Sequence, residues 1–318
     1  MICVVMTWPR ITHRQLFNYP GVPELRIWSY DALFRARRLP SASWIFTDMD
    51  RLGTWELELA AHARRELVGR GMRVLNDPGR FCPRFTLLER LWRAGINSFK
   101  VWRLESSDEV DRWPVFLRTE AAHRGVLSDL IDEPGLLRVE IARALAAGHV
   151  ERDLMIVEYC AEPVRPGLFR KLAAFRVGDR IVTTLAVHEG NWMAKHGEEG
   201  IAGAELYREE FDNLAENQHA GVLMRAFQLA HVDYGRVDYA IVKGEPRIYE
   251  INSNPTIGRV TKHPDPSRMQ SAKLWESNFV AALTAIDSHR GPTFPVEDPM
   301  LRAQRRRDFF LLRSRWVK

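Results

Sequence analysis

Two short segments decide the fold of this chain: RVDY at residues 236–239 and YEINSNP at residues 249–255. Each lies in an apolar run that predicts a β-strand, and the turn residues at 243–246 between the runs predict an antiparallel hairpin. Glu250 and Asn252 are two residues apart on one strand and therefore point to one face. Arg236 and Asp238 are spaced in the same way on the other strand.

The four polar side chains can share one face only in certain registers of the hairpin. A two-residue turn at 244–245 would place Asp238 opposite Ile251, which puts Asp238 on the wrong face. Pairing Asp238 with Asn252 requires an odd loop or a bulge, and Pro246 is a plausible position for one. We therefore predict an irregular turn in this hairpin.

The chemistry of this face is that of a magnesium site beside a phosphate. Asp238, Glu250 and Asn252 supply oxygen ligands, which Mg²⁺ prefers, and Mg²⁺ commonly shares phosphate oxygens with such ligands. Arg236 would offset negative charge on a transferring phosphoryl group. The alternative is a set of exposed polar residues on a half-buried hairpin. Three oxygen ligands, an arginine and a following Asn-Pro pair together favour the functional interpretation.

The same residues resemble the metal-binding segment of ATP-grasp enzymes, in which an Asp is followed by the pattern Glu-x-Asn-x-x-Pro. In this chain the pattern is Asp238 and EINSNP at 250–255, and the resemblance covers residues 40–285 approximately. It implies an α/β protein: an ATP-grasp fold with α+β lobes and an N-terminal α/β pre-ATP-grasp domain. It also implies that ATP is bound with Mg²⁺, or Mn²⁺, on the Asp, Glu and Asn, and that Arg236 contacts the transferred phosphate.

The rest of the chain fits an organisation in three parts. Strand–helix–strand patterns with short loops predict a parallel sheet in an N-terminal domain over residues 1–84. We place the ATP-grasp domain at 85–288, with lobes at about 85–157 and 158–288. Residues 289–318 form a basic C-terminal tail, for which a solvated tail or a docked helix is favoured over a nucleic-acid site.

Several segments upstream of the hairpin resemble the nucleotide-binding parts of the family. The strand ending at Arg118 resembles one that usually ends in a phosphate-binding lysine, and arginine keeps the charge but carries it on a planar fork. The loop 121–125 resembles the small-residue loop over the phosphates, although a plain surface loop is the alternative. Residues 157–161 resemble the linker between the lobes. The implied nucleotide-binding residues are Arg118, Glu158, Tyr159, Cys160, Glu162 and Lys171.

Two of these assignments stay open in the sequence. Glu158 and Glu162 are both candidates for the adenine amine or the ribose, and the sequence does not separate them. Lys171 lies where family members carry a basic residue that faces the nucleotide, but a solvated lysine is the alternative.

The segment HEGNWMAKHG at 188–197 lies where the family has a lid-like loop near the phosphate and the acceptor substrate. Lys195 could reach the γ-phosphate and take part in catalysis. Trp192 and the histidines His188 and His196 could shape a substrate pocket or act as a base. A structural or exposed role is the alternative for each histidine.

The composition is that of an ordinary globular protein, with 46% hydrophobic and 27% charged residues among 318. A net charge of +5 fits a polyphosphate ligand, a nucleic acid or no particular partner.

The odd number of cysteines argues against a secreted disulfide framework. The N-terminus does not resemble a signal peptide, and no apolar run approaches the roughly 20 residues of a membrane span. We expect a cytoplasmic protein without membrane or nucleic-acid partners, and a homodimer is compatible with the sequence.

The resemblance implies a ligase mechanism. A substrate carboxylate attacks the γ-phosphate of Mg·ATP, and an amine-type nucleophile then displaces phosphate from the acylphosphate. The protein positions the reactants and neutralises charge. The expected substrates are an amino acid, a peptide or a small metabolite. The alternatives are an ATP-grasp phosphotransferase acting on a non-carboxylate acceptor and a nucleotide-binding regulatory module.

Overall fold

The computed structural model describes residues 1–7, 12–121, 125–288 and 290–315, with side chains up to residue 308. Over these residues the strands are β1 (Ile2–Met6), β2 (Leu25–Ser29), β3 (Arg38–Pro40), β4 (Ser43–Phe46), β5 (Val74–Leu75), β6 (Val101–Arg103), β7 (Val115–Thr119), β8 (Leu154–Glu158), β9 (Pro163–Arg165), β10 (Leu168–Val177), β11 (Arg180–Thr183), β12 (Val187–Glu189), β13 (Tyr234–Val242), β14 (Glu245–Asn252) and β15 (Thr293–Pro295). The α-helices are α1 (Tyr30–Arg35), α2 (Thr54–Gly69), α3 (Arg84–Arg93), α4 (Pro134–Ala146), α5 (Ala204–Glu216), α6 (Ala220–Ala230), α7 (Pro266–Ile286) and α8 (Pro299–Arg315).

The N-terminal sheet is parallel and has the strand order β2-β1-β4-β5. Every residue of β1 is buried, because helices cover both faces of the sheet. Cys3 and Val5 pack toward Leu59 of α2, whereas Ile2 and Val4 belong to the cluster that contains Phe279 of α7. The chain places β2 on one side of β1 and β4 on the other, so the strand order reverses between β1 and β4.

Two antiparallel sheets make up the remainder of the fold. One has the order β6-β8-β7, and the other runs β11-β10-β13-β14, with β9 and β12 also paired to β10. A shared core joins them, in which Leu91 of α3 and Phe227 of α6 pack with Met155 of β8 and Tyr239 of β13. This arrangement leaves the polar face of the β13–β14 hairpin turned toward the three-stranded sheet.

The β13–β14 hairpin turns at Lys243 and Gly244, both of which have positive φ (54° and 81°). Val242 pairs with Glu245, so the turn has two residues, and two positive φ values are typical of a tight hairpin turn. The prediction of an irregular turn near Pro246 is therefore wrong.

The irregularity lies further along the hairpin, where the register shifts at Tyr249. On the site side of this bulge Asp238 opposes Glu250 and Arg236 opposes Asn252. Directly opposed residues share a face, so the predicted common face of these four side chains is confirmed. The pair is not the one expected, because Asp238 opposes Glu250 rather than Asn252.

The segment after residue 290 packs on the N-terminal sheet. Strand β15 pairs with β3, α8 contacts α1 and α2, and Leu301 is buried in the core around Trp44. His289 and residues 316–318 of the predicted tail lie outside the described residues. No helix in the described part of the chain is both long and apolar enough to cross a membrane.

Asn76 joins the N-terminal sheet to the start of β13. Its Nδ2 donates to the carbonyls of Phe46 (2.7 Å) and Tyr234 (2.9 Å). Its Oδ1 accepts from the backbone N–H groups of Asp233 (2.7 Å) and Tyr234 (2.9 Å). The residue is fully buried and has a left-handed φ of 65°, which asparagine tolerates better than most residues. One side chain therefore makes four hydrogen bonds, three of them to the start of β13 and one to β4 of the N-terminal sheet.

His13 is a second buried polar link to β13. Its Nε2 lies 2.8 Å from the Tyr234 hydroxyl and its Nδ1 lies 3.1 Å from Thr12 Oγ1. Thr12 Oγ1 donates its only proton to Asn254, so Nδ1 must donate to Thr12 and Nε2 must accept from Tyr234. Burial lowers the pKa of His13 to about 4, although Asp48 raises it, so the ring is neutral at pH 7.

We expect this histidine to make the protein sensitive to mild acid. The unfolded chain takes up a proton at His13 below about pH 6.5, whereas the folded protein does so only below about pH 4. The free energy of unfolding should therefore fall as the pH drops from 6.5 to 4, by about 2 kcal/mol at pH 5 for this residue. Urea unfolding at pH 7 and pH 5 should show that His13→Gln removes this part of the difference. An equal pH difference in both proteins would contradict the assignment.

Candidate active site

A cavity of about 520 Å³ lies between the three-stranded sheet and the β10–β13–β14 sheet. The catalytic, nucleotide-binding and metal-binding residues predicted from the sequence all line it. These residues are Arg118, Glu158, Tyr159, Cys160, Glu162, Lys171, Lys195, Arg236, Asp238, Glu250 and Asn252. The fold thus brings all of them to one space, and their individual roles stay predictions.

One end of the cavity is aromatic. The Trp192 ring lies 4.9 Å from that of Phe116 and meets Tyr159 edge-on at 5.4 Å, measured between ring centroids. Behind the linker, the Tyr249 hydroxyl donates to the carbonyl of Cys160 (2.6 Å). Aromatic faces and edges suit a flat heteroaromatic ring. This end therefore suits a nucleobase.

The two linker carboxylates, which the sequence left unseparated, have different surroundings. Glu158 Oε2 accepts from the backbone N–H of Lys100 (2.8 Å) and so braces β8 against β6. Glu162 Oε2 accepts from the backbone N–H of Lys243 (2.7 Å), in the turn of the β13–β14 hairpin. Each residue therefore has one oxygen engaged in holding the cavity wall.

The opposite end is built around Asp238. Arg236 contacts both of its carboxylate oxygens, at 2.7 and 3.1 Å, and Lys171 Nζ lies 3.5 Å from Oδ2. Burial lowers the pKa of Arg236, but the Asp238 carboxylate outweighs this effect and the net shift is upward. Arg236 therefore stays charged beside the carboxylate.

Glu250 lies between two arginines. Arg84 donates to Glu250 Oε2, and Arg118 Nη2 lies 4.0 Å from the same oxygen. Burial raises the pKa of Glu250, but Arg84, Arg118 and other nearby cations lower it more, to about 2. Burial, together with the Arg84 charge, lowers the pKa of Arg118 to about 9. Glu250 is thus ionised, and it is the shared counter-ion of two crowded guanidinium groups.

Arg84 is a site residue that the sequence analysis missed. It is the first residue of α3, only 10% of its side chain is exposed, and its Nη1 has no hydrogen-bond partner within the described structure. A buried, unsatisfied guanidinium nitrogen is costly unless a ligand completes it. The sequence gives no local signal for this role, because it depends on how α3 packs against β14.

The residues present fit a magnesium ion with a polyphosphate. Asp238, Glu250 and Asn252 offer oxygen atoms on adjacent strands, and Asn252 Oδ1 is oriented by the N–H of Asn254 (2.8 Å). No group of three or more His, Cys, Asp or Glu side chains is placed to hold a metal among the described residues. Two carboxylates and an amide form an incomplete set of the kind that Mg²⁺ completes with phosphate oxygens and water.

Positive charge exceeds negative charge along the cavity wall, as a polyphosphate requires. The lining cations are Arg51, Arg84, Arg118, Arg170, Lys171, Lys195 and Arg236, and the lining carboxylates are Glu158, Glu162, Asp238 and Glu250.

The loop at 188–197 is held by Glu189. Its Oε1 accepts from the backbone N–H groups of Lys195 (2.8 Å), His196 (2.5 Å) and Gly197 (2.7 Å). Lys195, His196 and Trp192 line the cavity as a result. His188 is instead buried outside it, and burial lowers its pKa to about 4. In the predicted phosphate loop, residues 122–124 lie outside the described residues.

No protein-family model matches the chain, and no curated protein matches it by sequence. Solved structures do match. VanG D-Ala:D-Ser ligase from Enterococcus faecalis is 12% identical with a TM-score of 0.52, over 90% of this chain and 98% of that chain. D-alanine–D-alanine ligase from Bacillus anthracis is 12% identical with a TM-score of 0.51, over 90% and 96%. ATP-grasp ligase PsnB with minimal precursor, Mg and ADP is 14% identical with a TM-score of 0.52, over 90% and 97%.

At these identities the likeness bears on the fold alone. It extends over almost the whole length of both chains in each comparison, so it includes the N-terminal parallel sheet as well as the two antiparallel sheets. The predicted fold class is confirmed, and this chain has the ATP-grasp fold.

Proposed function

We propose that this chain is a Mg·ATP-dependent ligase that activates a carboxylate as an acylphosphate and joins it to an amine-type nucleophile. The observation that carries the proposal is the cluster of Arg236, Asp238, Glu250 and Asn252 on one face of the hairpin, next to unsatisfied Arg84. The fold supports it, since the three solved structures reported above are ligases.

The two ends of the cavity suit the two ends of ATP. The adenine ring would lie at the aromatic end against Phe116, Tyr159 and Trp192. The phosphates would lie at the cationic end, where Arg84 and Arg118 share the Glu250 carboxylate as their counter-ion among the described residues. A guanidinium group can donate two hydrogen bonds to two oxygens of one phosphate, so these arginines would fix the position of the triphosphate.

Asp238, Glu250 and Asn252 would hold the magnesium ions, which when bound neutralise phosphate charge and align the phosphoryl group. The guanidinium of Arg236 would stabilise the charge that develops on the transferred phosphoryl group.

A substrate carboxylate oxygen attacks the γ-phosphorus and the bond to ADP breaks. An amine then attacks the acyl carbon, phosphate leaves and the amine loses a proton to water. Lys195, which lines the cavity, would contact either phosphoryl or acceptor groups.

Hydroxylamine trapping tests this function without knowledge of the natural amine. Full-length protein is incubated with Mg·ATP, hydroxylamine and a panel of amino acids, N-acyl amino acids and dicarboxylates. We expect one or more carboxylates to give a hydroxamate and ADP in equal amounts, because hydroxylamine intercepts an acylphosphate.

The negative outcomes identify the competing functions. ADP release with a phosphorylated alcohol and no hydroxamate would favour a phosphotransferase. Tight binding of Mg·ATP with no ADP release under any condition of the panel would favour a regulatory module.

A further inference from the structure

The N-terminal sheet presents a second set of residues to the same cavity. In open parallel sheets, ligands bind at the carboxyl ends of the strands where the strand order reverses. Here that point lies between β1 and β4. Thr12 lies on the connection that follows β1, Arg51 lies on the one that follows β4, and both line the cavity.

Asp48 holds Arg51 in this position. Its Oδ2 accepts from the backbone N–H (3.0 Å) and the hydroxyl (2.9 Å) of Thr7, and its Oδ1 lies 3.5 Å from Arg51 Nε without a hydrogen bond. Asp48 is buried and has a left-handed φ of 56°, a conformation that non-glycine residues keep mainly where the surroundings enforce it. The side chain of Arg51 is 46% exposed, and it lines the cavity, so it is accessible to a ligand.

On this side of the cavity, Thr12 is connected by hydrogen bonds to the cationic end, where the phosphates would lie. Thr12 Oγ1 donates to Asn254 Oδ1 (2.8 Å), and the Asn254 N–H donates to Asn252 Oδ1 (2.8 Å). The N–H of Ile257 also donates to the Thr12 carbonyl (2.8 Å). A substrate bound between Arg51 and Asn254 would therefore lie beside the phosphoryl group.

The charge of this region favours an anion over an ammonium group. Across the described lining, Asp238 and Glu250 are paired with arginines, and Glu158 and Glu162 accept backbone N–H groups. The sequence of residues 8–11 and 122–124 contains no Asp or Glu. At the phosphate end of the described lining, the α-ammonium of a free amino acid would thus meet carboxylates that are already paired with arginines. A carboxylate would meet Arg51, whose 3.5 Å contact with Asp48 Oδ1 is not a hydrogen bond.

We propose that Arg51 and Asn254, with Thr12 orienting the Asn254 side chain, form a subsite for a second substrate carboxylate, remote from the one that is phosphorylated. The substrate class is then a dicarboxylate whose amino group is acylated or absent. This inference rests on the proposed function, because it takes the other carboxylate to be the reacting group.

Saturation-transfer NMR on the full chain with saturating Mg²⁺ and a non-hydrolysable ATP analogue tests the subsite. The probes are N-acetyl-L-glutamate, N-acetyl-L-glutamine and L-glutamate. We expect N-acetyl-L-glutamate to bind about tenfold more tightly than the other two, because charge-assisted contacts to arginine discriminate by at least this factor. Arg51→Gln should abolish the preference, and Arg51→Lys should restore part of it.

Arg93→Gln is the matched control, since Arg93 is an exposed arginine of α3 that does not line the cavity, and it should leave the preference unchanged. Equal affinity for the three probes, no binding of N-acetyl-L-glutamate to the nucleotide-loaded protein, or a preference that survives in Arg51→Gln would overturn the subsite. Failure of the wild-type protein to bind the ATP analogue would overturn the proposed function itself, and calorimetry with the analogue alone detects that case.

Discussion

Glu250→Gln is expected to lower the rate of ATP turnover by about 10³-fold, the scale of losing a group that stabilises developing charge. The amide keeps the shape of the side chain but removes the charge that would hold a metal and that balances Arg84 and Arg118. Steady-state release of ADP in the hydroxylamine assay measures the loss. Asp238→Asn should give a loss of the same order, because Asp238 opposes Glu250 across the hairpin.

The control is on the same strand. Glu245 begins β14, is exposed, and does not line the cavity, so Glu245→Gln should leave turnover within about twofold of wild type, as for an ordinary surface substitution. Circular dichroism and a thermal unfolding curve establish that each variant is folded. Turnover that persists in both folded Glu250→Gln and Asp238→Asn proteins would remove the metal assignment.

Asn76→Ala is expected to lower the free energy of unfolding by about 4 kcal/mol. The substitution removes the partner of two buried carbonyls (Phe46 and Tyr234), the buried N–H of Tyr234 and the partly buried N–H of Asp233, at a typical cost of about 1 kcal/mol each. It also places alanine at a φ of 65°, which adds strain. Urea unfolding at pH 7 measures the change.

Two further variants separate these causes. Asn76→Gly loses the same hydrogen bonds but adopts positive φ without strain, so it should be about 1 kcal/mol more stable than Asn76→Ala. Asn278→Ala, on the exposed side of α7, should change stability by no more than about 0.5 kcal/mol. A loss below about 1 kcal/mol in Asn76→Ala, smaller than one typical buried hydrogen bond, would show that the link contributes little.

The parts of the site that the sequence could predict are local ones. Asp238, Glu250 and Asn252 lie in two short segments joined by one turn, so spacing and residue type are enough to group them. The position of the bulge could not be predicted from the alternation of side chains along the strand. Ile248 and Glu250 are two residues apart, a spacing that normally places both on one face, and yet they face opposite sides. Ile248 opposes Tyr239 in the core, whereas Glu250 opposes Asp238 in the cavity.

The parts that could not be predicted depend on contacts between distant segments. Arg84 is 166 residues from Glu250 along the chain, and only the packing of α3 on β14 brings them together. Arg51 and Thr12 are ordinary loop residues in the sequence. Their place at the cavity follows from the strand order of the parallel sheet, which no local pattern carries.

The hydrogen bonds from Thr12 through Asn254 to Asn252 have a thermodynamic consequence. They make the orientation of one proposed metal ligand depend on a residue of the proposed substrate subsite. If occupation of one position steadies the other, linkage requires the two affinities to change by the same factor. The substrate would then tighten the binding of Mg·ATP as much as Mg·ATP tightens the binding of the substrate, and neither would need to bind first.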